Sequence, residues 1–422
     1  MTKWKLMEKE ADVIVIGAGV AGLRCTLELQ KRGLKPILLE ASDRVGGRIR
    51  TDTLEGFQLD RGFQVLLTAY DECQSILDYG ALELGAFEPG ALIWTGSKFE
   101  KLIDPWRRPK QLFRSALSPI GSLGDKLKIG GLREKLRRKP VNAIYESQDS
   151  TTIEHLQNLG FSPDIIESFF RPFYGGIFLE RELETSRRMF DFVFKMFSQG
   201  YAALPRNGME AIPRQLSAQL NPDVIRLNHP VNDIGPQHVT VNDSDRYEAP
   251  HIVTATDMSA AAALSNSKVE DRGWRGTQCV YFAAPQSPLT EPIIALNGSG
   301  TGSITNVAVP SDVNPGYSQN GESLICVSTS KLVAQEDLND ELRLWFGDKA
   351  KEFRYLVDYS IPHALPRQSP GDNPFGKAPL QNESGYWICG DYRFSSSIQG
   401  AMASGRAVAE AISNSKSDAS NS

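Results

Sequence analysis

The sequence predicts an α/β fold: a Rossmann-like dinucleotide-binding domain joined to an α+β domain built on an antiparallel sheet plus helices. Three observations carry this expectation. Residues 11–51 read as strand, glycine turn, helix, strand and acid. From Thr152 to Gln199 the apolar spacing is mostly helical. From Gly276 to Thr329 strands alternate with glycine turns.

The first of these is the most specific. Asp12 to Ile16 is a β-branched run long enough for one buried parallel strand. Gly17, Gly19 and Gly22 then form G-x-G-x-x-G, with Val20 and Ala21 opening a helix pattern that runs through Leu29. Pro36 to Leu39 is a second apolar run, ending at Glu40. In this setting each residue has a task. Gly17 permits the tight turn, Gly19 lets backbone approach a pyrophosphate, and Gly22 lets the helix pack on the strand. The helix N-terminus offers free N–H groups and a partial positive charge to phosphates. Glu40 stands where a carboxylate accepts both ribose hydroxyls and repels a 2′-phosphate. Ala41-Ser42-Asp43-Arg44-Val45-Gly46-Gly47-Arg48 follows, and its glycine pair and arginine put more bare backbone and a guanidinium beside the same pyrophosphate.

This stretch resembles the FAD-binding motif of the flavin amine oxidase superfamily, which also holds the protoporphyrinogen oxidases, phytoene desaturases and carotenoid isomerases. The resemblance implies FAD rather than NAD, and it continues along nearly the whole chain. Gly56 to Gly62 resembles the family's G-F-x-x-D-x-G segment, although Asp60 also fits an ordinary turn. Pro205 to Pro213 resembles G-G-M-x-x-L-P, with Asn207 at the first glycine, a residue that tolerates left-handed backbone. Val231 stands where the family's valine covers adenine. Ile361 to Pro366 resembles the proline-bracketed return segment. A strand ending at Gly390-Asp391 and a helix starting near Ser397 and Ile398 close the set, and here the desaturase version is most similar. The resemblance implies that Asp391 fixes the ribityl or pyrophosphate end. It also implies that the helix start turns its dipole toward the flavin pyrimidine.

The order of these landmarks makes the nucleotide domain discontinuous: 1–70, 205–270 and 381–412. Residues 71–204 and 271–380 then form the substrate domain. The serine-rich stretch 413–422 reads as a disordered tail.

Size and composition bound the function. A chain of 422 residues has room for two cores, and 41% hydrophobic with 23% charged residues is ordinary for a soluble globular protein. No apolar run reaches the about 18 residues that span a bilayer. The N-terminus MTKWKLMEKEAD lacks the apolar core of a secretory signal. Five scattered cysteines without a C-x-x-C pair predict a reducing, cytoplasmic compartment, and they argue against a disulfide scaffold. With five histidines and no close His/Cys cluster, no metal site is expected.

The net charge of -5 hides an asymmetry. Between Lys101 and Pro140 twelve basic residues face three acids, so this segment carries +9 against -14 elsewhere. Leu102, Trp106, Leu127 and Leu136 are interleaved with the charges. A basic amphipathic segment with an aromatic has what peripheral docking on an anionic membrane requires. A solvated helix face whose apolar side packs inward is the alternative. No nucleic-acid motif accompanies the charge.

The helical stretch is interrupted at Arg171-Pro172-Phe173-Tyr174-Gly175-Gly176-Ile177-Phe178, where proline and a glycine pair sit among aromatics. This resembles the helix-breaking segment that protoporphyrinogen oxidases and desaturases place beside the substrate. Phe173, Tyr174 and Gly175, together with Tyr392, are therefore pocket candidates, a packed interhelical turn being the alternative. The cluster from Phe190 to Phe197 suits a cavity wall and a plain core equally.

In flavin enzymes the cofactor carries the reaction, so no side-chain nucleophile is expected. No cysteine stands in the setting where monoamine oxidases tether flavin. Tyr386, Trp387, Tyr392 and Phe394 lack the spacing of an amine-caging tyrosine pair. The favoured reading is hydride transfer between flavin N5 and a C–H or C=C of a large hydrophobic substrate, carotenoid- or tetrapyrrole-like. A soluble amine oxidase producing hydrogen peroxide and a non-catalytic flavin carrier or assembly protein are the alternatives.

Overall fold

The computed structural model describes residues 11–111, 118–265, 272–372 and 378–420. Five strands form one parallel sheet, in the spatial order Ile225–Arg226, Pro36–Leu39, Val13–Ile16, His251–Thr254 and Trp387–Ile388. Three distant stretches of chain thus meet edge to edge. The first strand, at the centre, is wholly apolar because both of its faces are covered. Helix Val20–Lys31 lies on one face, and the antiparallel strands Val231–Gly235, His238–Val241 and Asp245–Glu248 pack on the other. Helix Ile398–Ser420 docks on Val20–Lys31, and Gly405 permits the approach: a Cβ there would strike the Ala21 carbonyl.

The C-terminal stretch differs from the expected disordered tail. Residues 413–420 continue this last helix, since extending an anchored helix fixes one residue per hydrogen bond with no new nucleation cost. Ser422 and its neighbour lie outside the described residues.

A second sheet has seven strands. Arg354–Pro366, Trp274–Ala284, Ser323–Thr329, Ile304–Ala308 and Ile294–Asn297 pair antiparallel in that order. Ile294–Asn297 then pairs in parallel with Gly90–Trp94, which forms a hairpin with Phe99–Ile103. The sheet is therefore mixed rather than purely antiparallel, and the start of the basic segment is strand. One face packs Val280, Phe282, Val307 and Val327 against helix Gln335–Phe346. The other face carries Thr277, Cys279, Asn306 and Ser328 and looks inward.

Helices Leu123–Arg138, Thr152–Asn158 and Arg187–Gln199 build the opposite wall. The anticipated break at Arg171–Phe178 is instead a helix, entered through a π turn at Ile166–Phe170. Pro172 follows directly on the π turn, whose wider spacing accommodates the missing N–H and relieves the clash with the preceding carbonyl. The helix ends at Leu179 in the left-handed conformation (φ 53°). Buried Glu180 then fixes the next turn by accepting from the Leu183 and Thr185 backbones at 2.7 and 3.1 Å.

Candidate functional site

A cavity of about 1650 Å3 runs from the parallel sheet, across the mixed sheet, to the helical wall. Ordinary small-molecule sites hold roughly 300–1,000 Å3, so this space suits a large cofactor and a second molecule end to end.

At the sheet end the lining is mostly backbone. Gly17, Gly19, Val20 and Ala21 lie along it where the first strand turns into the first helix. Glu40 and Ala41 close one side, and Gly46, Gly47 and Arg48 another. Val231, Gly390, Asp391, Ser397 and Ile398 reach the same space from the two later stretches. The Glu40 carboxylate is tied at both oxygens, one accepting from the Ala18 N–H at 2.7 Å and the other from Ser42 N–H and hydroxyl at 2.9 and 2.6 Å. Arg50 donates to that hydroxyl at 2.6 Å. Arg48 donates to Asp391 at 2.6 Å and to the Ala364 carbonyl at 3.1 Å, joining the first and last stretches. Burial opposes the Arg48 cation, and the Asp391 carboxylate outweighs that and keeps it charged.

Two expected cofactor residues do not line the cavity. Gly22 faces inward: a Cβ there would collide with the Gly17 carbonyl, so this glycine serves helix-on-strand packing. Arg44 is a brace, at 2.8 Å from Asp52 and 3.3 Å from Glu210. Asn207 does not carry the left-handed turn; Gly208 does (φ 74°). Asp60 is buried and accepts from Thr51 at 2.5 Å, Tyr317 at 2.6 Å and the Met209 N–H at 2.9 Å. Burial raises its pKa to about 6 against these hydrogen bonds. It knots three segments together behind the site, while Arg61 and Gly62 continue into the lining.

The residues present fit a dinucleotide. Gly19 has ordinary backbone angles (φ -69°, ψ 173°), and a Cβ on it would meet no protein atom within 4 Å. Nothing in the fold demands glycine there. The space it leaves opens at a helix N-terminus with no side-chain cap, where an anion is favoured.

At the other end the lining is side chain. Phe173 and Tyr174 line the cavity together with Phe169, Gly176 and Ile177 from the same helical stretch. Gly175 points away, its missing Cβ 2.9 Å from the Glu180 carbonyl, so Gly176 is the small residue on the cavity side. Helix Arg187–Gln199 divides its apolar residues by face: Val193, Phe194 and Phe197 line the cavity, while Phe190, Phe192 and Met196 are core. Tyr392 is not in the lining; its ring covers Gly390 and packs with Met258 and Ile388. None of Tyr386, Trp387, Tyr392 and Phe394 reaches the cavity. Sequence reasoning missed Gly176, Asn306 and Ser328. The strands themselves carry no such signal: Asn306 directly follows Thr305 and Ser328 directly precedes Thr329, so polar and apolar residues do not alternate there.

The cavity opens beside Trp106, Leu123, Leu127 and Tyr201, of which Leu123 and Leu127 are 64% and 70% exposed. Leu132 and Leu136 of the same helix are buried, so its apolar residues face both ways. Many cations of the segment have partners: Lys101 with Glu291, Arg108 with Glu88, Arg137 and Arg138 with Glu134. Arg107 lies over the Tyr201 ring and Arg133 over Trp106, at 4.5 and 5.1 Å. Arg114 is outside the described residues.

Comparison with known proteins gives a consistent picture. Residues 20–413 match the family described as flavin containing amine oxidoreductase. Protoporphyrinogen oxidase 2 of Arabidopsis thaliana is 27% identical over 39% of this chain and 32% of its own. The phytoene desaturase of Fusarium fujikuroi is 34% identical over 24% of this chain and 19% of its own. The chain thus spans a third or less of the length of these curated relatives. The structure of cyclohexylamine oxidase from Brevibacterium oxydans IH-35A superposes with a TM-score of 0.69 at 18% identity, covering 97% of this chain and all of that one.

Proposed function

The chain belongs to the flavin containing amine oxidoreductase family and is an FAD-dependent oxidoreductase, and from that premise we propose that its substrate is a large, mainly apolar molecule, carotenoid- or tetrapyrrole-like. FAD supplies the two-electron chemistry by exchanging hydride at a C–H or C=C bond of the substrate. The chain supplies place and surroundings. Backbone amides at the first helix N-terminus, the Glu40 carboxylate and the Arg48–Asp391 pair are set to hold the dinucleotide. The helical wall excludes water and presses an apolar body toward the sheet.

One observation carries the substrate reading. The wall formed by Phe169, Phe173, Tyr174, Ile177, Val193, Phe194 and Phe197 is apolar, and the carboxylates of Glu88 and Asp104, which also line the cavity, are paired with Arg108 and Arg107. The four C-terminal aromatics that could have flanked an amine lie elsewhere. Ring faces alone offset only part of the cost of desolvating an ammonium group, which calls for a free counter-charge, whereas a polyene or a macrocycle needs only apolar area. The amine-oxidase reading rests on relatives such as the cyclohexylamine oxidase.

The exposed leucines and Trp106 at the opening support a second element: the mouth rests on an anionic lipid surface and takes substrate from it. Among the described residues no helix is long and apolar enough to cross a membrane, so this contact is peripheral.

Anaerobic mixing of the flavin-loaded protein with phytoene, protoporphyrinogen, putrescine and an L-amino acid tests the reading. Bleaching of the flavin by one of the first two, and not by the amines, is expected. Fast oxygen-dependent peroxide release from an amine, with no response to either lipophile, makes the protein an amine oxidase.

A further inference from the structure

The apolar cavity contains one polar step that the fold does not need. Asn306 lies on strand Ile304–Ala308, is 4% exposed and lines the cavity. Its Oδ1 is buried without any hydrogen-bond partner. Its Nδ2 has only a long contact, 3.5 Å, to the Thr305 hydroxyl. Among the described cavity-lining residues it is the only uncharged side chain with a buried, unpartnered polar atom. Ser328 is its cross-strand partner in the sheet register, also buried and also lining. Across from both stands Gly176, whose ideal Cβ would lie 3.3 Å from the Asn306 amide nitrogen. The glycine leaves the amide nitrogen uncovered, and a half-turn of the amide, which exchanges its two ends, brings the oxygen to that side.

A buried amide oxygen without a partner costs about 1–3 kcal/mol relative to a satisfied one. The strand gains nothing from it: leucine or valine would fill the same position between Leu296 and Ser328. Such a group is worth keeping only if something that binds there completes it, and a site so built rejects an analogue lacking the matching donor.

We infer that Asn306, flanked by Ser328, is a specificity-determining subsite that accepts a hydrogen bond from an O–H or N–H group on the substrate. The substrate is then an amphiphile with a donor some way along an apolar body, not a bare hydrocarbon. This inference rests on the reading of the cavity as the substrate site. Within that reading it favours a pyrrole N–H or a hydroxylated isoprenoid over an unsubstituted polyene.

The experiment uses the flavin-loaded protein and two isomeric probes, 1-octanol and 1-methoxyheptane, which differ in owning or lacking the donor. Binding is followed by perturbation of the flavin spectrum. Wild type is expected to bind the alcohol about tenfold more tightly than the ether. Asn306→Leu should abolish that preference by weakening the alcohol alone, and Asn306→Asp, which keeps an acceptor, should retain it. Thermal unfolding separates this from a structural role: Asn306→Leu removes an unsatisfied group, so its Tm should be equal to or above that of wild type. Equal binding of both probes by wild type, or an unchanged preference in Asn306→Leu, overturns the subsite while leaving the apolar site intact. Failure of both probes to bind, with flavin present, overturns the cavity reading and this inference with it.

Discussion

Gly19 and Gly176 lie against the same cavity, and a side chain at either would enter it, yet they do opposite jobs. Gly19 sits among backbone amides, where strand, turn and helix geometry set every distance and the missing Cβ leaves open space at an uncapped helix N-terminus. Gly176 sits among phenylalanines, where side-chain packing sets the shape and the missing Cβ exposes the Asn306 amide. The nucleotide end is specified by conformation, which tolerates few substitutions. The helical wall is specified by volume, which tolerates many so long as the total is kept. That difference explains how one fold can keep its cofactor while its substrates vary among relatives.

The sharpest way to break this comparison is a residue whose role is pure geometry. Gly22→Val drives a side chain into the Gly17 carbonyl. It should cost at least about 4 kcal/mol, read as loss of soluble protein or a collapse in Tm. Survival at wild-type Tm would mean that helix and strand are not held at the observed spacing.

Asp60 comes next. Its raised pKa means that the folded state holds its proton between about pH 4 and 6, where the unfolded chain has released it. The stability contributed by the protonated carboxyl is therefore complete below pH 3.8 and is lost as pH rises through about 6. The difference amounts to about 3 kcal/mol. Urea unfolding at pH 5 and pH 8 should show about half of that loss, about 1.4 kcal/mol, in wild type and a flatter response in Asp60→Asn. Parallel pH responses in the two proteins would remove Asp60 from the account.

Gly19→Ala is milder to the fold, because no protein atom opposes the new methyl group. Its apo Tm should fall by no more than about 1 kcal/mol equivalent, the usual scale of an N-cap change. Flavin affinity should drop by at least about tenfold, measured by equilibrium dialysis. Arg44→Ala and Arg48→Ala sharpen the same contrast. Both should lower Tm, the second because it leaves the buried Asp391 carboxylate unpaired, but only the second should weaken flavin binding, since only Arg48 reaches the cavity. The smallest effect is expected at the mouth. Trp106→Ala with Leu127→Ser should reduce co-sedimentation with phosphatidylserine vesicles severalfold and leave turnover of a detergent-dispersed substrate unchanged. Equal co-sedimentation of variant and wild type detaches the mouth from the lipid reading.

The two ends also differ in how legible they were. The nucleotide end was readable because its determinants are local: Gly17, Gly19 and Glu40 fall within one short βαβ unit whose spacing the chain itself displays. Glu40 could be placed without knowing that Ser42 and Ala18 tie it down. Arg44 was misplaced because two arginines flank the same loop and only the fold decides which one turns inward. At the helical wall, Pro172 and the glycine pair read as a break, whereas a π turn absorbed the proline. Neighbouring Gly175 and Gly176 point to opposite sides, a distinction that periodicity could not make once the segment was read as a loop. Asn306 depended on which face of its strand the helix carrying Gly176 packs against, which a linear pattern does not contain.

The central claim is that cofactor holding and substrate selection are separable within one cavity. Gly176→Leu tests it most directly, with flavin content and anaerobic flavin reduction measured on the same preparation. The account predicts full flavin occupancy, an unchanged Tm and a reduction rate by the native substrate lowered at least about a hundredfold. Loss of flavin together with activity, or full activity with the leucine in place, would contradict it.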